Sequence, residues 1–220
     1  LELKLVSEQG DESVFHISAT KSPRIFEKLK EMDDAQVELS ERARQTKLYK
    51  TPFIPHLHAD INEQGHLELS PVLKLNSTSK KEQFLPVEKL RDCKINDEWI
   101  WLNNSYRPVA PVPSQFKPYF NNEKPLVYKE KDAIDFLRED FNQLLAEPSF
   151  RPSERLKLVE VHDNPDVSYM QVEVCDSDWL WLDPVYKAGK HTITLQEILA
   201  CIDKNHCIRK DMDYIEIPKD

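Results

Sequence analysis

The sequence predicts an α+β fold, with mostly antiparallel strands and hairpins and three to five helices in two sub-domains. Three observations predict it. Alternating apolar segments of strand length flank turn residues, most cleanly Phe53 to Ile61 and Leu67 to Leu75 about Asn62-Glu63-Gln64-Gly65. A few separate segments carry helical apolar spacing. Five prolines between Pro108 and Pro125 exclude a long helix at mid-chain. The division is placed near Asn121 to Lys124, giving a β-rich sub-domain over 1–122 and an α+β sub-domain over 123–220.

In chain order, Leu1 to Val6 and Val14 to Ile17 alternate about Gln9-Gly10-Asp11 and predict a hairpin. Ser22-Pro23 reads as a cap with proline at the first helical position, and Ile25, Phe26, Leu29 and Met32 follow at helical spacing. The signal from Asp33 to Lys50 is mixed, and Asn76 to Glu82 has the polarity of an exposed loop. Asp132 is placed as the cap of a helix whose stripe is Ile134, Leu137, Phe141, Leu144 and Leu145. Leu156 to His162 and Val167 to Val174 are expected as a hairpin about Asp163-Asn164-Pro165-Asp166. Trp179 to Tyr186 is a strand, Ala188-Gly189-Lys190 a turn, and Thr194 with Glu197 a capping box. The helix after that box is expected to bury Leu195, Ile198, Leu199 and Ile202, and strands at Cys207-Ile208 and Tyr214 to Ile217 close the chain around Arg209 to Asp213.

Composition narrows the function classes. Hydrophobic residues make up 40% of the 220 and charged residues 31%, enough apolar side chain to offset the ordering entropy of a soluble globular protein. No apolar run reaches the length of a membrane span, and the first residues lack the pattern of a secretory signal, so no membrane partner is expected. The start without Met and the end at Asp220 are read as those of a piece of a longer polypeptide. Cys93, Cys175, Cys201 and Cys207 form no C-x-x-C pair and are expected as reduced thiols, which places the chain in the cytoplasm. A net charge of -9 repels a phosphate backbone at long range. Nucleic-acid binding therefore requires a local patch, for which Arg42, Arg44, Lys47 and Lys50 are the candidates, with Arg24, Lys28 and Lys30 as a second group. A solvated helix face accounts for the same residues.

Glu98-Trp-Ile-Trp-Leu-Asn and Asp178-Trp-Leu-Trp-Leu-Asp echo one another and hold all four tryptophans, Trp99, Trp101, Trp179 and Trp181. Residues two apart on a strand share a face, so each pair forms either an aromatic docking or stacking surface or part of a packed sheet. His56-Leu-His58-Ala-Asp60 places two imidazoles and a carboxylate on one strand face, which reads first as a polar strand face and alternatively as the donor set of a zinc or iron site, and so of a metal-dependent hydrolase. Ile61 stands where a metallo-hydrolase H-x-H-x-D-H run has its last His, and further ligands would have to come from His66, His162 or elsewhere. Ala188-Gly-Lys-His-Thr192 fails as a phosphate loop, because Pro184 and His191 occupy the positions of the first glycine and the hydroxyl residue. No G-x-S-x-G elbow and no Cys–His pair at a family spacing occurs, so no catalytic residue is assigned.

Asp178-Trp179-x-x-Leu182, Gly189, Ile193-x-Leu195-x-Glu197-Ile198-Leu199 and Tyr214-Ile215-x-Ile217-Pro218 together resemble a region that precedes the motor of bacterial Swi/Snf-family helicases. The specific likeness covers about a fifth of the chain. It implies a non-catalytic accessory region that positions or restrains the chain's own downstream ATPase motor, or holds its nucleic acid. No cofactor is implied in this chain, with ATP and Mg expected only in the motor. A stand-alone protein-interaction module is the alternative. The family often has a glycine in the last turn, where this chain has Lys210-Asp211-Met212-Asp213.

Overall fold

The computed structural model of the chain describes residues 2–6, 12–16, 22–31, 41, 45–75, 82–90, 99–121, 124–174, 180–202 and 206–218. Helices and antiparallel-rich sheets combine in an α+β fold. Two compact units are present, Leu1–His56 with Val72–Glu123 and Leu57–Pro71 with Lys124–Asp220. The division after Glu123 adjoins the expected one, but the Leu57–Pro71 segment groups with the second unit. Leu57, Leu67 and Leu69 in this segment are fully buried, and its strands pair with strands that follow residue 124.

In the first unit, β1 (Glu2–Val6) and β2 (Glu12–His16) form the antiparallel hairpin that their alternation predicts. α1 (Ser22–Glu31) buries Phe26, whose ring lies 6.1 Å from Tyr106. β3 (Lys47–Leu48) pairs in parallel with a strand described below. β4 (Phe53–Ile61) and β5 (Leu67–Leu75) follow, and the last residues of β5 pair antiparallel with β6 (Gln83–Pro86). β7 (Trp99–Leu102) and β8 (Ser105–Pro108) form a hairpin, and β8 is the parallel partner of β3. A short α2 (Lys117–Phe120) ends the unit, with Pro118 in its first turn, where the missing N–H costs no hydrogen bond.

The second unit begins at the hairpin end of β4 and β5. There β5 pairs antiparallel with β9 (Leu126–Tyr128). α3 (Glu130–Glu139) and α4 (Phe141–Leu145) follow, and β10 (Phe150–Pro152) runs parallel to β4. Ring contacts of about 6 Å link Tyr128, Phe136, Phe141 and Phe150 in series. After α5 (Glu154–Lys157), β11 (Val161–Asp163) leads to the long β12 (Asp166–Val174). β12 pairs antiparallel with β13 (Leu180–Ala188), which pairs with β14 (His191–Thr194). α6 (Leu195–Ile202) and the hairpin of β15 (Cys207–Lys210) and β16 (Asp213–Glu216) complete the unit. Ala188, Ile193, Ile198, Cys201, Ile208, Ile215 and Ile217 form one core cluster, against which Tyr186 packs.

The β15–β16 turn closes without glycine because Asp211 adopts φ +54°, a left-handed conformation that Asp tolerates better than most residues. The capping box at the start of α6 forms as expected. The Thr194 N–H donates to Glu197 Oε2 at 2.9 Å, and the Glu197 N–H to Thr194 Oγ1 at 3.2 Å.

The tryptophan echo does not produce equivalent structures. Asn103 and Asn104 both take positive φ, +48° and +55°, and turn the first copy into the β7–β8 hairpin. Asp183-Pro184 occupies the corresponding place in the second copy. Proline fixes φ near -65°, and the chain continues through it as one strand of nine residues.

Three expectations are corrected. Asp132 lies inside the first turn of α3, whose cap is Lys129 with no side-chain bond, and the expected single helix breaks at Asp140. No hairpin joins the segments around 156–162 and 167–174. Ser153 Oγ accepts the Leu156 N–H at 3.1 Å and starts α5, and β11 instead joins β16 in parallel. α6 buries Ile198 and Cys201 and leaves Leu199 55% and Ile202 40% exposed, because the core lies on the side of the sulfur. Ile198→Ala is thus expected to cost about 2–4 kcal/mol, while Leu199→Ala stays within about 0.5 kcal/mol of the parent. Urea unfolding of the two variants checks this assignment, and the reverse order would contradict it.

Candidate metal centre

The chemistry concentrates at a turn and two strand pairs of the second unit. β16 opens with Asp213, whose side chain is 2% exposed. β11 lies beside β16 in parallel register and carries His162, and β14 begins with His191 directly after the Gly189-Lys190 turn. Gly189 is required twice over. Its φ is +54°, and an added Cβ would sit 2.4 Å from His162 Cε1.

Four groups converge on Asp213. His191 Nε2 and Lys190 Nζ each lie 2.8 Å from Oδ2, and the Glu160 N–H donates to Oδ1 at 3.0 Å. His162 Nε2 stands 3.6 Å from the same Oδ2 and 3.6 Å from Glu160 Oε2. That nitrogen is buried and makes no hydrogen bond. The two imidazole rings meet edge to face at 5.8 Å. Asp211 Oδ2 lies 3.9 Å from His191 Nδ1, on the far side of that ring. Burial alone would raise the Asp213 pKa, but hydrogen bonds from Lys190, His191 and the Glu160 backbone, with the Lys190 charge, hold it well below the usual carboxylate range.

Ligand atoms of His162, His191 and Asp213 all lie within 4.8 Å of one another, the one such set of three or more among the described residues. The sequence missed it because its members come from three strands far apart in the chain. By its spacing His162 is no more than a distant partner for the β4 face, and Gly189-Lys190-His191 no more than a turn that fails as a phosphate loop. No spacing rule connects the three.

The residues singled out from sequence lie elsewhere. His56, His58 and Asp60 do alternate with the buried positions Leu57, Ala59 and Ile61 along β4. His56 is buried with its ring edge-on to Phe84 at 5.6 Å. Burial and the nearby Arg151 charge lower the His58 pKa, and Asp60 accepts from Ser153 Oγ at 2.5 Å. Of the first basic group, Lys47 and Lys50 are exposed, and Arg42 and Arg44 lie outside the described residues. In the second group, Lys30 donates to the Thr46 carbonyl at 2.5 Å and lies over the Phe26 ring. Arg24 and Lys28 instead line a groove of about 640 Å³ with Trp99 and Pro108, where Glu27 and Glu31 balance their charge. Trp101 is 40% exposed and packs at 4.6 Å from Tyr106. Trp179 lies outside the described residues, and Trp181 is placed by its backbone on β13.

Cys201 and Cys207 are free thiols. Burial pushes the Cys207 thiol up to about 12 and raises that of Cys201, so neither is a ready thiolate nucleophile. No helix among the described residues is long and apolar enough to cross a membrane.

Asp213→Ala, which strands His191 and the Glu160 N–H in a buried site, is expected to cost about 3 kcal/mol in denaturant unfolding. Because the folded-state pKa of Asp213 is depressed, its contribution is full above about pH 4 and is lost as the pH falls below that. The Asp213→Ala variant should therefore show a smaller acid-induced drop in stability over that range than the parent, with the part due to other depressed carboxylates such as Glu197 remaining. An unchanged drop would contradict the assignment. No protein-family model matches the chain, and no curated protein or solved structure matches it.

Proposed function

We propose that the chain is a non-catalytic accessory region of a bacterial Swi/Snf-type, ATP-driven helicase or translocase, serving to position the motor or its nucleic acid. One observation carries the reading. Several of the residues that give the resemblance are ones on which the terminal module is built, although Leu199 among them is 55% exposed. Gly189 makes its turn, Glu197 caps its helix, and Ile193, Ile198, Ile215 and Ile217 belong to its core cluster. Tyr214, also in the pattern, is buried and donates its hydroxyl to the Gly65 carbonyl at 3.1 Å. A likeness borne by such residues is a likeness of architecture, and it favours the same module in the same kind of protein.

ATP and Mg belong, on this reading, to the motor and not to this chain. Contact with nucleic acid falls to basic side chains, namely exposed Lys47 and Lys50 together with Arg42 and Arg44, which lie outside the described residues, or Arg24 and Lys28 beside Trp99. A second reading, a stand-alone protein-interaction module, is favoured by β12. This strand is at the edge of its sheet, and its Val167, Tyr169, Met170 and Val172 are each more than half exposed.

The reading frame beyond Asp220 tests the first proposal. A Walker-type G-K-[ST] followed by a D-E-x-H box is expected there, and their absence would sink it. Binding to duplex DNA tests the basic patch. Replacing Arg42, Arg44 and Lys47 with Ala should make the slope of log affinity against log salt shallower by about 2.7, at about 0.9 per phosphate contact. An unchanged slope would remove that patch from the interface.

A further inference from the structure

We propose that His162, His191 and Asp213 bind a divalent transition metal of the zinc class, which clasps the β12–β13–β14 sheet to the β11–β16–β15 sheet. This goes beyond the accessory reading and does not rest on it. Two imidazoles and one carboxylate are a donor set suited to zinc, cobalt or nickel, and a poor one for magnesium or calcium, which take mostly oxygen. Two ligands of a tetrahedral zinc, each about 2.0–2.1 Å from the ion, stand roughly 3.3 Å apart. Two of the three separations here, 2.8 Å and 3.6 Å from Asp213 Oδ2 to the Nε2 atoms of His191 and His162, bracket that value, and all three ligand atoms lie within 4.8 Å of one another, which a bound ion would draw in.

His162 supplies the independent observation. Its Nε2 is buried, makes no hydrogen bond and faces the Asp213 carboxylate. A ring nitrogen placed so lacks a partner that a metal would provide. Glycine at 189 admits the His162 ring, which any side chain there would crowd. Behind His191, the exposed Asp211 carboxylate lies 3.9 Å from Nδ1, beyond hydrogen-bond distance, and contributes its charge to that side of the ring.

Lys190 is the competitor. Its ammonium is 2.8 Å from the oxygen the metal would take, but the side chain is 64% exposed and can swing into water. Metal binding then exchanges one cation for another on Asp213. A fourth position faces Glu160, whose carboxylate is 3.6 Å from His162 Nε2 and 65% exposed, leaving that place to water or to Glu160.

The test uses the whole chain, stripped with chelator and titrated with zinc chloride, and separately with cobalt chloride for its visible spectrum. One equivalent of metal, a raised melting temperature and a cobalt spectrum of nitrogen and oxygen ligation are expected. His162→Gln should weaken zinc binding by about 100-fold or more, and Lys190→Gln should strengthen it. Since His162 Nε2 makes no hydrogen bond, the Gln variant is expected to fold, and its circular dichroism checks this. If it does not fold, the cobalt spectrum of the parent decides. Absence of stoichiometric binding, parent-like affinity in folded His162→Gln, or a thiolate-to-cobalt band would each overturn the proposal.

Discussion

The carboxylate of Asp213 sits almost wholly out of water at the first residue of β16, and much of the second unit depends on its being satisfied there. A buried charge without partners costs several kcal/mol. Here the partners come from the chain before β11, from the turn after β13 and from the first residue of β14, so meeting the charge also fixes those segments against β16. The bond from the Glu160 N–H to Oδ1 and that from the Tyr214 N–H to the Glu160 carbonyl hold β11 in its parallel register. Arg138 on α3 adds a second tie, binding Glu216 at 2.6 Å and also Asp163. The isoleucine cluster supplies the apolar free energy, and Asp213 supplies the register in which it packs.

This division of labour bears on function. A region in which a buried charge ties strands and a turn together is built to keep a shape. A metal at the same node would deepen that role by linking the two sheets through bonds stronger than the Lys190 ion pair, and it would make the shape responsive to metal supply. β12 lies at the edge of its sheet, with Val167, Tyr169, Met170 and Val172 each more than half exposed.

What could be read in the sequence was local. The β1–β2 hairpin, the alternation of β4 and β5, the Thr194–Glu197 box and the closing β15–β16 hairpin each follow from residues a few positions apart. What escaped was set by distant parts of the chain. Leu199 fits a helical stripe as well as Cys201 does, and only the location of the core decides between them. The hairpin expected around Pro165 was overridden because β11 finds a partner in β16, some fifty residues later. Two tryptophan motifs of nearly the same sequence diverge on the difference between Asn103-Asn104 and Asp183-Pro184. The His162, His191 and Asp213 cluster lay beyond any spacing rule for the same reason, since pairing between strands assembles it. The β4 face of His56, His58 and Asp60 had the spacing of a site, yet the converging ligand atoms are found elsewhere.

Amide hydrogen exchange on the parent and on Asp213→Asn tests most directly the claim that one carboxylate holds these strands together. The Asn side chain keeps an acceptor for the Glu160 N–H but removes the charge that binds Lys190 and His191. If the account holds, protection falls together across β11, β14, β15 and β16, as one cooperative unit, while the β3–β8–β7 sheet of the first unit is unchanged. Protection that stays at the parent level, or falls at Glu160 alone, would contradict it.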